Sequence, residues 1–511
     1  MSTLTASTPP ATARSRADRA LVVGSGFGGL AAAIRLAARG YQVTVLERMD
    51  RPGGRAAVFS QDGFTFDTGP TIVTAPFLLD ELWALAGRRF AEEIDLRLMD
   101  PFYRIRFHDG ETFDYSGDPE RVRAEIARFE PRDVEGYDRY MAASEEVFRV
   151  GFEKLGDVPF DHVYDMLKIV PEMIRLGSHR TVYQMVARYI RDERIRQVLS
   201  FHPLLIGGNP FDASSIYTLI SFLERKWGVH SAIGGTGAIV DGMVSVLTDL
   251  GGELRLNAEV GEIRVENGRA AGVRLADGER LDAEVVVSNA DAAWTYRHLV
   301  APAHRRRWTD AKVERARYSS GLFVWYFGTH GQAPELPHHT IMLGPRYRGL
   351  LSDIFHRKTL TEDFSLYLHR PSATDPGVAP EGCDAFYALV PVPHLGGATD
   401  WAAEAEPFRR RIEAFLDATV LPGLPERVVS SRVATPLDFE ARLLAFRGAG
   451  FSFEPTLTQS AWFRPHNRSE DVEGLYLVGA GTHPGAGLPG VLSSAKVLDR
   501  VVPAPSLRAT E

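Results

Sequence analysis

A strand, a helix and a second strand are predicted near the start of the chain from its hydrophobic pattern. Residues 20–23 (ALVV) form a short continuous apolar run, which is typical of a buried strand. Residues 30–38 are strong helix formers, and Gly40 follows them as a helix stop. Residues 43–46 (VTVL) form a second run of strand length. Together these segments predict a βαβ unit, in which a helix joins two parallel strands.

The turn between the first strand and the helix is rich in glycine. Gly24, Gly26 and Gly29 have the spacing GxGxxG, which permits a tight turn, close approach of backbone to a pyrophosphate, and close packing of helix on strand. The helix N-terminus adds N–H donors and a positive dipole end. Glu47 ends the second strand about 20 residues downstream, where an acid accepts hydrogen bonds from ribose hydroxyls. The unit predicts a dinucleotide site, NAD or FAD, formed by Glu47 and the turn residues Gly24, Ser25, Gly26, Phe27, Gly28 and Gly29.

The pattern changes along the rest of the chain. Residues 251–291 read as short alternating strands broken at NG and DG, which are hairpin signals. Residues 75–226 are mostly helical in pattern after a short strand pair near 102–113, and residues 296–455 mix apolar strands with helices. The most apolar run, GLFVWYFG at 321–328, is shorter than the about 18 residues of a membrane-spanning helix.

Composition limits the class of protein. The chain has 511 residues, of which 44% are hydrophobic and 24% charged, which is typical of a globular protein with about two to four domains. Its net charge of -8 argues against a nucleic-acid partner, because phosphate binding needs a basic surface. Cys383 is the only cysteine, so no disulfide and no cysteine-rich metal centre can form within the chain, and no metal site is predicted. Residues 1–18 lack the apolar region of a secretory signal and are predicted to be a disordered leader.

Two further glycine-rich motifs accompany the first. Gly53, Gly54 and Arg55 follow the second strand, where glycine lets backbone approach a cofactor and the guanidinium offers a planar fork of donors. Residues 475–494 read LYLVGAGTHPGAGLPGVLSS, a predicted strand, loop and helix with five glycines between positions 479 and 490. Such a density of glycine indicates positive φ angles or close contact with a ligand.

These motifs resemble those of the bacterial-type phytoene desaturases. That group belongs to the carotenoid and retinoid oxidoreductase family within the flavoprotein amine oxidase superfamily. The likeness is carried by the GGR motif and by YLVGAGTHPGAGLPGV at 476–491, with further support from FDTGPTIV at 66–73 and QSAWFRPHNRSE at 459–470. It runs from about residue 20 to residue 501 and is greatest with the enzymes of phototrophic proteobacteria.

The resemblance implies an α/β fold with FAD as the cofactor. The expected architecture is a Rossmann-type, GR2-like FAD-binding domain with an inserted α+β substrate domain and a helical lid. The implied segments are 19–75, 227–295 and 466–503 for the FAD domain, 76–115 and 296–465 for the substrate domain, and 116–226 for a membrane-facing lid. The further residues expected at FAD are Arg48, Gly54 and Arg55 after the second strand, Val260 at the adenine, and Gly481, Gly490 and Val491 in the last loop. The N–H groups of Gly490 and Val491 are expected to face the negative charge of the reduced ring.

The implied reaction is the desaturation of phytoene, a C40 carotenoid precursor, in several steps to neurosporene or lycopene. Each step removes a hydride, accepted by the flavin, and a proton from a CH2–CH2 unit. The cation left beside a polyene is delocalised, so a strong base is not required. His483, Asp67 and His202 are the candidate proton acceptors, and a purely structural role of His483 in its turn is an equal alternative for that residue.

Other interpretations stay open within and outside enzymes. Another carotenoid desaturase or isomerase, such as a hydroxyneurosporene desaturase, would share the cofactor motifs. A non-catalytic prenyl-lipid carrier of the GDP-dissociation-inhibitor type would share the fold but would not need Glu47, Gly54 and Arg55. Oxygen or a membrane quinone is the expected electron acceptor, because no second dinucleotide motif is present.

A basic stretch predicts contact with lipid. Residues 168–196 carry seven Lys or Arg against three acids, with apolar residues interspersed. Such a surface can rest on anionic lipid, and a solvated helix face is the alternative. Because a C40 substrate must enter from lipid, the protein is expected on the cytoplasmic side of the cell membrane as a peripheral protein.

Overall fold

The computed structural model describes residues 18–506. The predicted leader lies outside these residues except for its last one. The strands are β1 Arg19–Val23, β2 Gln42–Leu46, β3 Val58–Gln61, β4 Phe64–Asp67, β5 Leu96–Leu98, β6 Tyr103–Arg106, β7 Thr112–Tyr115, β8 His230–Ala232, β9 Glu253–Arg255, β10 Val260–Glu266, β11 Arg269–Leu275, β12 Arg280–Asp282, β13 Val285–Ser288, β14 Gly321–His330, β15 His339–Met342, β16 Leu366–His369, β17 Cys383–Val392, β18 Val428–Ala434 and β19 Leu475–Leu477. The helices are α1 Phe27–Ala38, α2 Phe77–Ala84, α3 Phe90–Glu93, α4 Pro119–Phe129, α5 Val134–Phe148, α6 Val163–Leu176, α7 Val182–Val186, α8 Glu193–Ser200, α9 Leu219–Trp227, α10 Gly235–Asp249, α11 Ala292–Trp294, α12 Asp310–Arg315, α13 Tyr347–Ser352, α14 Trp401–Thr419, α15 Leu424–Arg427, α16 Pro436–Leu443 and α17 Leu488–Val501.

A five-stranded parallel sheet has the order β19-β13-β1-β2-β9. Its strands come from three separate parts of the chain, within the three segments expected to build the FAD domain. Alternate residues of β1 face opposite layers: Ala20 and Val22 pack with α1, α10 and α17, whereas Leu21 and Val23 pack with the small sheet β10-β11-β12. Both faces are therefore covered, which explains the uninterrupted apolar run of this strand.

The first helix begins three residues earlier than its pattern predicts. It starts at Phe27, so that Gly28 and Gly29 belong to its first turn. A Cβ atom on Gly29 would lie 2.0 Å from the carbonyl oxygen of Gly24, and no side chain fits there. Close packing of the helix on the strand, and not helix propensity, therefore explains why this position is a glycine.

A seven-stranded sheet has the order β18-β14-β17-β16-β15-β6-β7 and is antiparallel except between β15 and β6. On β14, Phe323, Trp325 and Phe327 face a core that includes α14. The intervening residues Leu322 and Tyr326 face the other side, which includes β4. The period of two residues thus divides one apolar strand between two environments.

Helices α4, α5, α7 and α8 pack in one core with β6, β7 and β15 of this sheet. Residues 116–226 contain α4 to α9 and no strand. Helix α5 packs against α9, with Phe148 against Phe222. Of the helices between residues 18 and 506, none has both the length and the apolar content needed to cross a bilayer.

Candidate active site

A cavity of about 500 Å³ runs between the two sheets. At one end it is lined by Gly24 and Glu47, at the carboxyl ends of β1 and β2, where open α/β sheets bind ligands. Away from these strand ends it is also lined by Tyr326 of β14 and by Leu223 of α9. Its size lies in the range of small-molecule sites, about 300–1,000 Å³. The FAD domain, the substrate domain and the lid expected from the sequence all contribute to its wall.

The glycine-rich turn exposes its backbone to this cavity. Gly24, Gly26, Phe27 and Gly28 line it. Gly24 has a φ of +90°, which favours glycine. The structure places Gly29 behind the wall, where its contact with Gly24 leaves no room for a side chain. The first-turn N–H groups of α1 have no acceptor within the helix, so the turn can receive a phosphate.

Glu47 is held in place by hydrogen bonds from the chain itself. Its Oε2 accepts hydrogen bonds from the Ser25 backbone N–H at 2.9 Å and from the Ser25 hydroxyl at 2.7 Å. Its Oε1 accepts one from the Met49 N–H at 2.9 Å. Ser25 is fully buried and does not line the cavity, so it positions the carboxylate and does not itself reach a ligand.

Arg55 offers an unused donor. Its Nε donates to the carbonyl of Gly450 at 2.9 Å, and its buried Nη2 has no hydrogen-bond partner among the described residues. Burial lowers the pKa of Arg55, and the Asp291 carboxylate opposes that shift. Since a buried guanidinium donor without an acceptor is costly, Arg55 is suited to an anionic or polar ligand group.

The last loop surrounds the same cavity. Gly479, Gly487 and Gly490 line it, and a Cβ on Gly490 would lie 2.5 Å from the Gly485 carbonyl oxygen. Gly490 N–H has no acceptor between residues 18 and 506, which leaves it free for a ligand. The Val491 N–H is not free, because it donates to the Gly487 carbonyl at 2.9 Å. The expectation that both N–H groups face the cofactor is therefore wrong for Val491. The residue itself still lines the cavity.

Three further residues expected at the cofactor differ in their surroundings. Val260, at the start of β10, lines the cavity. Arg48 also lines it and donates from Nη1 to the carbonyls of Ala441 and Arg442, at 3.0 and 2.9 Å. Gly481 is not part of the wall; a Cβ there would lie 2.7 Å from that of Ala292, so this glycine allows close packing of the loop.

Of the candidate proton acceptors, the structure brings only His483 to the cavity. Its Nε2–H donates to the Leu155 carbonyl at 3.3 Å, and its Nδ1 has no partner among the described residues. Burial lowers the pKa of His483 to about 4, so the ring is neutral at physiological pH. A neutral ring with Nε2 protonated presents Nδ1 as an acceptor.

His202 and Asp67 lie behind the wall and have other partners. The His202 Nε2 lies 3.0 Å from Oε2 of Glu224, and its ring is 1% exposed. Asp67 accepts hydrogen bonds from the N–H and hydroxyl of Thr236, both at 2.9 Å, in the first turn of α10. Burial raises the pKa of Asp67 to about 6. Both residues are thus used inside the fold, and their placement does not support contact with a substrate.

Asn289 is a cavity residue that the sequence interpretation missed. Its carboxamide lies between the first turn and the last loop, because added Cβ atoms on Gly28 and Gly479 would lie 2.7 and 2.8 Å from its Oδ1. Asn289 directly follows β13, which pairs with β1. The sequence could have indicated Asn289, because it is a polar residue at the carboxyl end of a strand that lies beside the glycine-rich turn.

A group of hydroxyls in the far wall was also missed. Thr71 Oγ1 lies 2.8 Å from the Tyr367 hydroxyl and 3.3 Å from the Tyr387 hydroxyl, and all three residues line the cavity. These residues come from a loop and from two strands far apart in sequence. No local pattern could have brought them together.

The residues present fit an extended dinucleotide. They offer free backbone N–H groups in two loops, a prearranged carboxylate at the end of β2, and an unpaired guanidinium donor between them. The adjoining apolar part of the cavity is suited to a ring system and an apolar substrate.

Comparison with known proteins agrees with this site. Residues 27–497 match the family model described as flavin containing amine oxidoreductase. The chain belongs to this family and is an FAD-dependent oxidoreductase. Solved structures with the same fold include an oxidoreductase from Methanosarcina mazei (TM-score 0.64, 18% identity, 94% of this chain and 100% of that chain) and putrescine oxidase (TM-score 0.62, 16% identity, 95% and 99%).

Within the family, this chain is similar to bacterial phytoene desaturases. It is 52% identical over 500 residues to the neurosporene-forming phytoene desaturase of Cereibacter sphaeroides, covering 97% of this chain and 96% of the relative. It is 53% identical over 481 residues to the lycopene-forming phytoene desaturase of Pseudescherichia vulneris, covering 94% and 97%. The resemblance inferred from the glycine-rich motifs is confirmed.

Proposed function

We propose that this protein is an FAD-dependent phytoene desaturase that introduces several C=C bonds into phytoene, with neurosporene or lycopene as the product. The identity to desaturases of both product types, over nearly the full length, supports the substrate. The observation that carries the proposal is the single cavity joining the dinucleotide turn to a mainly apolar wall. A soluble polar substrate would not need such a wall.

The apolar part of the cavity suits a polyene chain. Leu322 and Val324 of β14 line it from the sheet, and Leu204 and Ile220 line it from the lid. These contacts have no direction, so a linear hydrocarbon can shift along the cavity between successive desaturations. The number of double bonds introduced would then depend on how far the chain can advance.

The chemistry is divided between the cofactor and the chain. Bound FAD supplies a two-electron acceptor for hydride, which no side chain provides. The protein holds the substrate in an apolar cavity and accepts the remaining proton. His483 is suited to that role, because its neutral ring lines the cavity with Nδ1 free of other partners. Oxygen or a quinone is the proposed final electron acceptor.

Substrate entry through lipid is part of the proposal. Helix α6 exposes Val163, Leu167 and Ile174, which are 54%, 59% and 64% exposed and share one helix face. Lys168 and Arg175 lie beside this face and are exposed. An apolar helix face flanked by basic residues is suited to the surface of a bilayer with anionic lipid. We therefore propose a peripheral protein on the cytoplasmic side of the cell membrane, with α6 in contact with lipid.

The membrane contact can be tested by co-sedimentation with vesicles. The double variant Leu167→Ser and Ile174→Ser should bind anionic vesicles less than the wild type. Val429→Ser is the control, because Val429 is 55% exposed on β18. Equal sedimentation of all three proteins would exclude α6 as the contact.

The function is tested by incubating purified protein and FAD with liposomes that contain phytoene. New long-wavelength absorption bands in the extracted lipid, dependent on FAD, are expected. Their positions count the double bonds added. Bound FAD without a spectral change would exclude phytoene and direct the same assay to neurosporene derivatives, whereas failure to bind FAD would favour a carrier.

A further inference from the structure

Three buried histidines lie close together behind the cavity wall. His338 directly precedes β15, His339 begins that strand, and His369 ends β16. The antiparallel register of the two strands places His339 opposite His369. The three residues are 6%, 0% and 1% exposed, and one ring nitrogen from each lies within 4.8 Å of the other two.

The hydrogen bonds of these rings join two Nε2 atoms to each other and leave the third without a partner among the described residues. His338 Nδ1 lies 2.7 Å from the Thr374 hydroxyl, and His339 Nδ1 lies 2.6 Å from the Tyr367 hydroxyl. His338 Nε2 lies 2.9 Å from His369 Nε2. His339 Nε2, although fully buried, has no partner among the described residues. In two of the rings, a hydrogen bond between Nδ1 and a hydroxyl oxygen thus fixes the orientation, as is usual for metal-binding histidines.

The nearby carboxylate of Asp384 is already used. It accepts hydrogen bonds from Arg370 Nε at 2.9 Å and from the Ser372 hydroxyl at 2.7 Å. The buried Nε2 of His339 therefore has no partner among the described residues.

We propose that His338, His339 and His369 bind one divalent transition-metal ion, of the Zn²⁺ class, through their Nε2 atoms. Imidazole ligands select Zn²⁺ and similar ions over Mg²⁺ and Ca²⁺, which prefer oxygen. Small ring movements would bring each nitrogen to the usual Zn–N distance of about 2.0–2.1 Å. This site is separate from the proposed desaturation and does not depend on it.

The ion would act on the cavity through Tyr367. Metal on Nε2 fixes the His339 proton on Nδ1, which then donates to the Tyr367 oxygen. Tyr367 in turn meets Thr71 at the cavity wall. The ion is therefore structural: it orients a wall residue and makes no contact with the cavity. The sequence did not indicate this site, because the third ligand lies thirty residues beyond the adjacent pair.

The test is a Zn²⁺ titration of the purified, FAD-loaded protein after treatment with a chelator. We expect one Zn²⁺ per chain by calorimetry in the wild type, and loss of that binding in His339→Asn, whose amide can still reach Tyr367. His369→Asn should behave alike. His108→Asn, at an exposed histidine elsewhere, should bind as the wild type does. Absence of stoichiometric binding in the wild type, or equal binding in all variants, would overturn the proposal.

Two further measurements leave all three histidines in place, and the first of them needs no variant. Co²⁺ added to the chelator-treated wild type should give visible d–d bands of a nitrogen-ligated ion, and their absence would count against the site. Tyr367→Phe removes the oxygen that orients His339 and leaves all three ligands. Zn²⁺ affinity should fall about 10- to 100-fold in this variant. Unchanged affinity would refute the orienting role.

Discussion

Replacing Glu47 with alanine should weaken both FAD binding and the fold around it. The carboxylate accepts three hydrogen bonds from the chain, two of them from Ser25. Ser25 is completely buried, so its N–H would lose its only acceptor, at a cost of about 1–3 kcal/mol. The sequence motif predicts that this carboxylate also accepts a hydrogen bond from the FAD ribose, and loss of such a charged hydrogen bond would remove about 1.5–3 kcal/mol of binding free energy. The dissociation constant should therefore rise about tenfold to a hundredfold.

The assay measures FAD per chain after gel filtration, the FAD dissociation constant, and the melting temperature of the FAD-free protein. Glu259→Ala is the control, because Glu259 lines the same cavity but its side chain is 47% exposed and its ion pair with Arg48 is long, at 3.8 Å. The control should retain FAD. If Glu47→Ala retained FAD and melting temperature as well as this control does, the proposed arrangement of carboxylate and ribose would be wrong.

Three further predictions concern other parts of the cavity and the core. His483→Ala should retain FAD and lower the desaturation rate about 10²- to 10⁴-fold; an unchanged rate would remove His483 from the mechanism. Gly490→Ala places a Cβ 2.5 Å from the Gly485 oxygen and should destabilise the loop by about 1–3 kcal/mol, which lowers FAD occupancy. Gly261→Ala, whose Cβ would make only ordinary contacts, should leave FAD occupancy unchanged. Burial lowers the pKa of His394 to about 4 from 6.5. Between these two pKa values the folded state thus binds fewer protons than the unfolded chain, and the free energy of unfolding falls as the pH decreases. The variant His394→Gln should remove about 2 kcal/mol of that loss at pH 5. Denaturant unfolding at pH 7 and pH 5 measures the difference.

The cofactor end of the cavity was predictable because its chemistry is local. Gly24, Gly26 and Glu47 belong to one βαβ unit, and backbone that must approach a phosphate leaves glycines in the sequence. The lengths of the two strands followed from short apolar runs that are buried on both faces. The glycines of the last loop gave the same kind of signal.

The catalytic candidates were less predictable, because a polar side chain can serve the fold or the substrate. His202 and Asp67 were candidate proton acceptors from the sequence, and the structure pairs them with Glu224 and Thr236. His483 is held at the cavity wall by a hydrogen bond from its ring to the carbonyl of Leu155, which lies 328 residues away in sequence. Contacts over such separations depend on how the domains pack, and the local pattern contains no record of them.

The difference between the two ends of the cavity has a physical origin. A dinucleotide is bound by N–H groups and charges in fixed positions, so each contact restricts the residue type at one place. An apolar chain is bound by shape, and many combinations of Leu, Val and Tyr fill the same space. On β14, Leu322 and Phe323 are equally apolar, yet one lines the cavity and the other packs in the core beside α14. Only the direction of the strand in its sheet separates these roles. The substrate wall therefore depends on the sheet register, which joins residues from both halves of the chain.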